Sequence, residues 1–317
     1  MNGVHGLHHI TAIAGPAQEN LDFYAGILGM RLVKRSVNQD DPSSYHLFYA
    51  DAVGHPGADL TFFPWLDVAP PRMGHGLAVE VGLEVPADTL EQWAERLDRY
   101  GIVHTMTARF NERVLAMKDP HGLAIALVEP GVAPDRAFTP WEDGPVEPPM
   151  QIRGLHGARV WEREAAQTID FITQAMGLQE LAMDGEWRRF GVEGAAGVID
   201  IRETPGERRG AWGVGAVHHL AWRVEDAVHQ QVVREAVVAA GARPTGVIDR
   251  FWFKSVYYKE PGGVLFELAT DGPGFGIDED AAHLGETLVL PPFLEPTRTE
   301  IERQLPPLTM PSGKAPA

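Results

Sequence analysis

The sequence predicts an α+β protein made of four βαβββ modules. Two observations lead to this fold class. The two halves of the chain align with each other, and each half divides into two units with the same order of patterns. In every unit, strand-like segments of alternating apolar residues accompany a short amphipathic segment. We expect the strands to form cupped, mixed β-sheets with the helices outside.

The duplication of the chain is visible in three pairs of segments. At a constant offset of 148, GLHHITAIAGPAQENLDFYAGILGM (6–30) aligns with GLHGARVWEREAAQTIDFITQAMGL (154–178). The other pairs are GHGLAVEVGLEV (74–85) with VHHLAWRVEDAV (217–228), and KDPHGLAIALVEP (118–130) with KEPGGVLFELATD (259–271). Because such self-similarity reflects one supersecondary unit used repeatedly, both halves are predicted to share one architecture.

Each module is expected to open with a strand and to continue with a helix and three further strands. The modules are predicted at 6–65, 74–130, 152–203 and 215–271. After the first two opening strands, apolar residues recur at the spacing of a helix that packs on a sheet. These residues are Leu21, Tyr24, Ala25 and Leu28 in the first module, and Leu90, Trp93, Ala94 and Leu97 in the second.

The modules are predicted to form two domains. The N-terminal domain spans 1–130 and holds the first two modules, and the C-terminal domain spans 152–275 and holds the last two. Residues 131–151 are rich in Pro and Gly, which is typical of a linker. Residues 276–317 are predicted to be a C-terminal extension with one short helix at about 297–304.

The composition of the chain limits its partners. The formal net charge is −17, which argues against binding to nucleic acid or to an anionic membrane, since both attract basic surfaces. The absence of cysteine excludes disulfides and thiolate metal sites, and no signal-peptide pattern stands at the N-terminus. We therefore expect a cytoplasmic protein that acts on small molecules. The oligomeric state stays open, with a homo-oligomer as one option.

Two opening strands contain adjacent histidines. His8 and His9 lie in GLHHITAIA (6–14), and His218 and His219 lie in VHHLAW (217–222). Side chains alternate along a strand, so one histidine of each pair is expected to face a site. The internal alignment favours the second of each pair. It places His9 and His219 in one slot, which the other two modules fill with Gly76 and Gly157.

A carboxylate completes this pattern. Glu267 lies in the apolar segment VLFEL, where the equivalent residue of the first half is Ala126. A carboxylate is costly to bury there without a partner. Each of these residues taken singly could be an ordinary core or edge residue, but their matching slots favour a shared site. Two imidazoles and one carboxylate suit Fe(II) with open coordination positions, and Mn(II) is the alternative.

These features resemble the vicinal oxygen chelate superfamily, which includes glyoxalase I, epimerases and extradiol dioxygenases. Within it, the chain is similar to the hydroquinone and chlorohydroquinone 1,2-dioxygenases. The segments that carry the resemblance are GLHHITAIAGPAQENLDFY, VHHLAW, DRFWFKSVYYKEPGGVLFELATDGPGF (249–275) and LVLPPFLEP. They are distributed over nearly the whole chain. The resemblance implies that the two predicted domains are tandem domains of this superfamily.

The resemblance also implies a set of site residues. It implies His9, His219 and Glu267 as ligands of Fe(II), with the choice between His218 and His219 left open. Further residues of the family's site correspond to His8, Thr11, His218, Arg250 and Tyr257. His218 is the candidate general base or acid, expected to titrate near neutrality, and His8 is its alternative. Arg250 and Tyr257 are the candidate donors to developing negative charge.

Three functions remain in competition. The leading one is an Fe(II)-dependent, extradiol-type dioxygenase that opens hydroquinone-like or substituted dihydroxy aromatics with O2. The second is a glyoxalase-like, metal-dependent lyase or isomerase, for which a fourth protein ligand is expected. The last strand of the first module offers only Asp59 and Thr61 for that role. The third is a metal-free module that binds an aromatic compound, against which the retained site residues argue.

Overall fold

The computed structural model of the protein describes residues 3–311, and it contains the four βαβββ modules that the sequence predicts. The first comprises β1 (Leu7–Ala14), α1 (Ala17–Leu21), β2 (Arg31–Asn38), β3 (Asp41–Ala50) and β4 (Asp59–Pro64). The second comprises β5 (Leu77–Glu84), α2 (Leu90–Arg99), β6 (His104–Arg109), β7 (Glu112–Lys118) and β8 (Ala124–Glu129). A π-helical segment, Asp22–Ile27, continues α1.

The second half repeats this order. The third module comprises β9 (Gly154–Glu162), α3 (Ala166–Gln174), β10 (Gln179–Asp184), β11 (Trp187–Gly191) and β12 (Val198–Glu203). The fourth comprises β13 (Val217–Val224), α4 (Ala227–Ala239), β14 (Ile248–Asp249), β15 (Lys254–Lys259) and β16 (Leu265–Thr270). The helix predicted in the C-terminal extension is α5 (Arg298–Gln304).

The strands form two mixed sheets of eight strands each, which confirms the predicted α+β fold class. The first sheet has the order β14-β15-β16-β13-β1-β4-β3-β2, and the second has the order β10-β11-β12-β9-β5-β8-β7-β6. Each sheet therefore joins one module from each half of the chain. The predicted domains group the modules by their order in the chain, the first with the second and the third with the fourth. The domain boundaries at 130 and 152 therefore stay a prediction.

Apolar side chains at the predicted helical spacing build much of the core. Leu21, Tyr24, Ala25 and Leu28 are all fully buried, as are Leu90, Trp93 and Leu97 of α2. Ala94 packs at the edge of the same core. Helices α2 and α4 contact strands β7 and β16. Among residues 3–311, none of the helices has the length and apolar character that a membrane-spanning helix needs.

The linker and the C-terminal extension are irregular but anchored. Between 131 and 151, the regular structure is limited to one short 3-10 turn at Pro148–Met150. The side chain of Gln151 donates hydrogen bonds to the carbonyls of Trp141 and Val146, each at 2.8 Å. In the extension, the carbonyl of Pro306 accepts a hydrogen bond from Tyr45 at 2.8 Å. The extension therefore packs on the first sheet.

The strand pairings show which residues are equivalent in the two sheets. Ala221 on β13 and Gly82 on β5 occupy matching places, because each pairs with an antiparallel central strand and with a parallel neighbour. Their partners are His9 and Glu267 for Ala221, and Gly157 and Ala126 for Gly82. The correspondence of Gly157 with His9, and of Ala126 with Glu267, is therefore confirmed.

The predicted correspondence of Gly76 with His219 is wrong. His219 lies two residues before Ala221, and the residue two positions before Gly82 is Glu80. Sliding a strand by an even number of residues keeps every side chain on its own face. The alternating apolar pattern of residues 74–85 therefore aligns equally well with residues 217–228 in the wrong register.

Charged side chains occupy the equivalent place in the second sheet. Arg189 pairs with Asp200 at 2.7 Å and with Glu112 at 2.6 Å. The remaining pairs are Arg109 with Glu80, and His156 with Glu112. A side chain in place of Gly157 would also be excluded by sterics, since a Cβ there would lie 2.4 Å from the carbonyl oxygen of Val198. The second sheet thus keeps the architecture but replaces the three candidate ligands.

We predict that Gly157→Ala destabilises the protein by about 1–3 kcal/mol, the range for an overpacked site, because its Cβ meets backbone that cannot rotate away. Gly131→Ala is the matched control, since nothing lies within 4 Å of the Cβ it would add. Its effect should stay within about 0.5 kcal/mol. Urea unfolding measures both, and equal stability of the two variants would contradict the packing assigned to Gly157.

Candidate metal centre

The structure brings His9, His219 and Glu267 together near the centre of the first sheet. The Nε2 atoms of the two histidines lie 3.2 Å apart. The carboxylate oxygen Oε2 of Glu267 lies 3.0 Å from Nε2 of His219 and 3.3 Å from Nε2 of His9. All three residues are buried, with exposures of 0–4%. Within residues 3–311, this is the cluster of His, Asp and Glu that could hold a metal ion.

Strand register explains this convergence. Ala221 on β13 pairs with His9 on β1 and with Glu267 on β16, so the histidine and the carboxylate flank one small residue. Thr11, two residues after His9, pairs with His219. The small side chain of Ala221 leaves the space between its neighbours open. Residues 258 positions apart in the chain are thereby held side by side.

The donor set fits a metal ion. The contacts of Glu267 with the imidazoles lack hydrogen-bond geometry, so its two carboxylate oxygens have no hydrogen-bond partner among the described residues. An unpartnered, fully buried carboxylate is costly unless it is paired or bound to a metal. Bonds of about 2.1 Å at right angles place neighbouring ligand atoms about 3 Å apart, as observed here. The three ligand atoms are therefore close enough together for one ion to bind all of them.

Two β-bulges explain why each candidate ligand follows another histidine. The register between β1 and β13 shifts between Leu7 and His9, and again between Thr11 and Ala12. These shifts leave His8 and His218 as the extra residues of the two strands. A bulge re-aims a side chain. Each extra imidazole lies beside the histidine that follows it, whereas regular alternation predicts opposite faces.

The extra histidines orient the candidate ligands. Nδ1 of His8 lies 3.0 Å from Nδ1 of His9, and Nδ1 of His218 lies 2.8 Å from Nδ1 of His219. If Nε2 of His9 or His219 binds a metal, Nδ1 of that ring carries the proton and donates a hydrogen bond to Nδ1 of the neighbouring histidine. Such hydrogen bonds fix the tautomer and direction of a metal-binding imidazole. Each pair of adjacent histidines therefore consists of a candidate ligand and a residue that could orient it.

The charge states suit metal binding. Burial opposes ionisation of Glu267, but His9 and His219 more than offset it and hold the pKa of this carboxyl well below its usual range. Burial lowers the pKa of His219, while its contact with Glu267 acts in the opposite direction. An ionised carboxylate and a neutral imidazole are the forms that bind metals.

The expectation that His218 titrates near neutrality does not hold in this structure. Burial and the neighbouring His219 lower its pKa to about 3, and burial lowers the pKa of His8 to about 3 as well. Their imidazoles are therefore neutral at physiological pH. His218 is stacked against Trp212, with ring centroids 4.4 Å apart. Its role in catalysis stays a proposal.

A pseudo-twofold axis between β1 and β13 reveals an open corner of the site. The axis exchanges His9 with His219, and it exchanges Ala221 with Thr11. Glu267 pairs with Ala221 on one side, so its counterpart is Thr61, which pairs with Thr11 on the other. The place of a fourth protein ligand is therefore occupied by a hydroxyl side chain. Thr61 Oγ1 lies 2.7 Å from Oγ1 of Thr11.

A small cavity of about 30 Å³ opens onto this cluster. Its apolar walls are Phe48, Phe63, Trp252 and Phe253. Its polar lining comprises His9, Asn38, Gln39, Asp40, His46, His219, Arg250 and Tyr257. A larger cleft of about 370 Å³ lies by Trp65 and Tyr45, but none of the predicted site residues lines it. The smaller cavity is therefore the one that the candidate site residues line.

Arg250 and Tyr257 lie in this cavity, as expected, but Arg250 has a partner that the sequence did not reveal. Its guanidinium donates two hydrogen bonds to Asp40, at 2.8 and 3.1 Å. It lies 5.4 Å from the ring centroid of Tyr257. Gln39 donates a hydrogen bond to its carbonyl at 2.9 Å. The turn between β2 and β3 thus holds Arg250 from the opposite module.

A buried lysine ties the C-terminal extension to the cavity wall. Lys34 on β2 is fully buried and pairs with Asp278, at 2.7 Å, and with Glu279. Asp278 also accepts a hydrogen bond from Nε1 of Trp252 at 3.0 Å. The residues that sequence reasoning missed are therefore Lys34, Asn38, Gln39, Asp40 and His46. Lys34, Gln39 and Asp40 contact segments more than 200 residues away, and the local pattern of a strand contains no signal for such contacts.

Comparison with known proteins identifies the family. The model of the Glyoxalase/Bleomycin resistance protein/Dioxygenase superfamily matches residues 6–127. The chain is 41% identical over 301 residues to MhqO of Bacillus subtilis (strain 168), which is assigned as a ring-cleaving dioxygenase, and the alignment covers 95% of each chain. The chain belongs to this superfamily.

Further members of the superfamily resemble the chain over nearly its full length. It is 33% identical over 313 residues to the chlorohydroquinone/hydroquinone 1,2-dioxygenase of Sphingobium indicum, covering 95% of this chain and 96% of that one. A crystal structure of a Bacillus subtilis protein assigned as a dioxygenase has a TM-score of 0.91 at 40% identity, covering 98% and 99%. Glyoxalase I of Zea mays has a TM-score of 0.62 at 16% identity, covering 84% and 92%, and shows a shared fold.

We predict that replacing His9, His219 or Glu267 by Ala weakens iron binding more than about tenfold, because each loss removes a donor from a set of three. The fold should persist. Glu162→Gln is the matched control, since Glu162 is equally buried but lies on β9 of the other sheet. Iron per chain after dialysis measures the effect. Wild-type iron content in any of the Ala variants would remove that residue from the ligand set.

We also predict that His8→Phe and His218→Phe weaken iron binding about ten- to a hundredfold while leaving the three ligands in place, because the ligand imidazoles lose the groups that orient them. His283→Phe is the control, since His283 is exposed and contacts Glu286 alone among the described residues. Competition with a chelator gives the affinities. Unchanged affinity in both variants would show that the histidine pairs have another purpose.

Proposed function

We propose that the chain is an Fe(II)-dependent, extradiol-type dioxygenase that opens the ring of hydroquinone-like or substituted dihydroxy aromatics. The observation that carries this proposal is the set of His9, His219 and Glu267 with Thr61 in the fourth corner. Two imidazoles and one carboxylate on a single face are typical of non-haem Fe(II) oxygenases, which need open positions. The names of the relatives support the same reaction class.

The cavity suits a flat aromatic substrate. Phe48, Phe63, Trp252 and Phe253 surround the entrance to the cluster and can contact the faces and edges of a ring. The same side chains exclude water around the buried ligands. Iron held by the three ligands would lower the pKa of a bound phenol and transfer electrons towards O2. The protein's own contribution is then to orient the ring and to stabilise charge.

Arg250 and Tyr257 are the groups proposed to stabilise charge. Both line the cavity, and the ring of Tyr257 lies against His219 with centroids 5.6 Å apart. Interaction with Asp40 and Tyr257 raises the pKa of Arg250 further, so its guanidinium stays charged. Asp40 also holds it in one position. A fixed cation and a hydroxyl donor favour a reaction that develops negative charge on oxygen.

Proton transfer is assigned to the histidines beside the ligands. His218 is the proposed general base, and His8 is the alternative. Both imidazoles are neutral, as a general base must be, and neither lines the cavity itself, so the proposal requires the proton of the substrate hydroxyl to reach them through a neighbouring group. Thr11 is assigned a supporting role, since its hydroxyl lies beside His219 and shares a hydrogen bond with Thr61.

The glyoxalase-like alternative lacks a fourth protein ligand. Thr61 is a weaker metal donor than the carboxylate or amide that such chemistry is expected to use. Oxygen uptake separates the two functions. Protein loaded with Fe(II) under nitrogen and then mixed with hydroquinone and air should consume O2 and produce a ring-opened semialdehyde absorbance. Hemithioacetal turnover without O2 uptake would support the alternative, and the absence of both would leave only a binding function.

We predict that Arg250→Ala retains iron but lowers kcat/KM for hydroquinone about a hundredfold, the effect of losing one donor to a developing oxyanion. Its partner Asp40 is largely exposed and tolerates the loss. Arg243→Ala, an exposed arginine of the same module, serves as the control. Steady-state oxygen uptake together with iron analysis measures the change, and a wild-type rate in Arg250→Ala would assign the arginine a structural role.

A further inference from the structure

His46 is a polar side chain of the cavity that the proposed mechanism does not use. It lies on β3 and lines the same cavity as His9 and His219. Its ring packs against Phe48 and Phe63, with centroids 3.9 and 4.3 Å apart. These contacts fix the imidazole plane between two aromatic walls.

The two ring nitrogens of His46 differ in their surroundings. Nε2 shares a hydrogen bond of 2.9 Å with Oγ1 of Thr61, the residue in the open corner of the site. Nδ1 has no hydrogen-bond partner among residues 3–311. It remains accessible, since it is absent from the buried atoms that lack a partner. Burial and the neighbouring histidines lower the pKa of His46 well below its usual range, so the ring is neutral. A polar atom without a partner is therefore presented to the cavity.

The position of His46 in the sheet sets its distance from the ligands. Strand β4 lies between β3 and β1, so His46 is two strands away from His9. Neighbouring strands are about 4.8 Å apart, and the strand register also shifts His46 along the sheet relative to His9, so the two backbones lie more than about 10 Å from each other. A group bound at His46 is thus well removed from a group bound between the ligands. A single aromatic ring can bind both at His46 and between the candidate ligands only if its two polar groups lie at opposite ends of the ring.

From this arrangement we infer that Nδ1 of His46 binds the second hydroxyl of a para-diol, the one that is remote from the ligand cluster, and so selects para-diols over ortho-diols. A hydroxyl both donates and accepts, so it matches either tautomer of the neutral ring. An ortho-diol carries its two oxygens side by side and leaves His46 without a partner. This inference rests on the proposed function, because it assumes that the first hydroxyl binds at His9, His219 and Glu267.

Two conservative variants separate recognition from support of Thr61. His46→Asn places an amide atom where Nδ1 stands and gives up the contact with Thr61. His46→Gln places an amide atom where Nε2 stands, so it keeps that contact and gives up the group in the cavity. Iron-loaded proteins are titrated under nitrogen with hydroquinone, with 4-fluorophenol, which lacks the second hydroxyl, and with catechol. Iron content and thermal unfolding verify that each variant is intact.

We expect the wild type to bind hydroquinone about tenfold more tightly than 4-fluorophenol, the effect of one hydrogen bond to an uncharged partner. His46→Gln should lose this preference without weaker binding of 4-fluorophenol or catechol, whereas His46→Asn should keep most of it. The reverse result, with the preference kept in Gln and lost in Asn, would overturn the inference and assign His46 to the support of Thr61. A wild type that binds none of the three compounds and consumes no O2 would instead overturn the proposed function.

Discussion

The antiparallel pairing of β1 with β13 is the interaction on which the candidate site depends. It joins the first module to the fourth and places His9 beside His219 across a single strand boundary. Neither half of the chain contains both histidines, so the site exists only when the two ends of the sequence come together. Two bulges in this pair turn His8 and His218 towards the ligands they support.

The second sheet has the same architecture but lacks the two histidines and the glutamate of the candidate site. Its central pair, β5 with β9, has the corresponding places filled by Gly82, Gly157 and Glu80, and Ala126 stands where Glu267 would be. Arginines and carboxylates neutralise one another there and fill the space. The duplication therefore preserved the fold twice and the candidate site once. Ion pairs stabilise the buried charges of the second sheet. In the first sheet the buried carboxylate of Glu267 lies against two imidazoles, which is why this cluster is the candidate metal centre.

The fold followed from the sequence to a large extent, because period and repeat are local signals. The four modules, the order of strands and helix along each of them and the buried apolar stripes of the first two modules all match the alternating and helical patterns. The match of Gly76 to His219 failed because an even shift of register leaves that alternation unchanged. The bulges at His8 and His218 were equally hidden, since one extra residue in a strand has no signature in an apolar pattern.

His9 and Glu267 could be selected from the sequence because the repeat sets each against a small counterpart, Gly157 and Ala126. The same comparison reaches His219 only through Gly76, in the wrong register. The residues around the candidate ligands could not be predicted from the sequence. Asp40 reaches Arg250 from a turn 210 residues away, and Lys34 reaches Asp278 across 244 residues. His46 stands among ordinary strand residues, and only the arrangement β3-β4-β1 shows that it faces the same cavity as His9. Such contacts depend on tertiary structure, for which a single sequence has no local pattern.

The measurement that tests this account most directly is anomalous diffraction at the iron edge from crystals grown with Fe(II) under nitrogen. The account predicts one strong peak, bounded by Nε2 of His9, Nε2 of His219 and the carboxylate of Glu267, with Thr61 outside bonding distance. A peak coordinated by His218 in place of His219, or one located away from these three side chains, would contradict it.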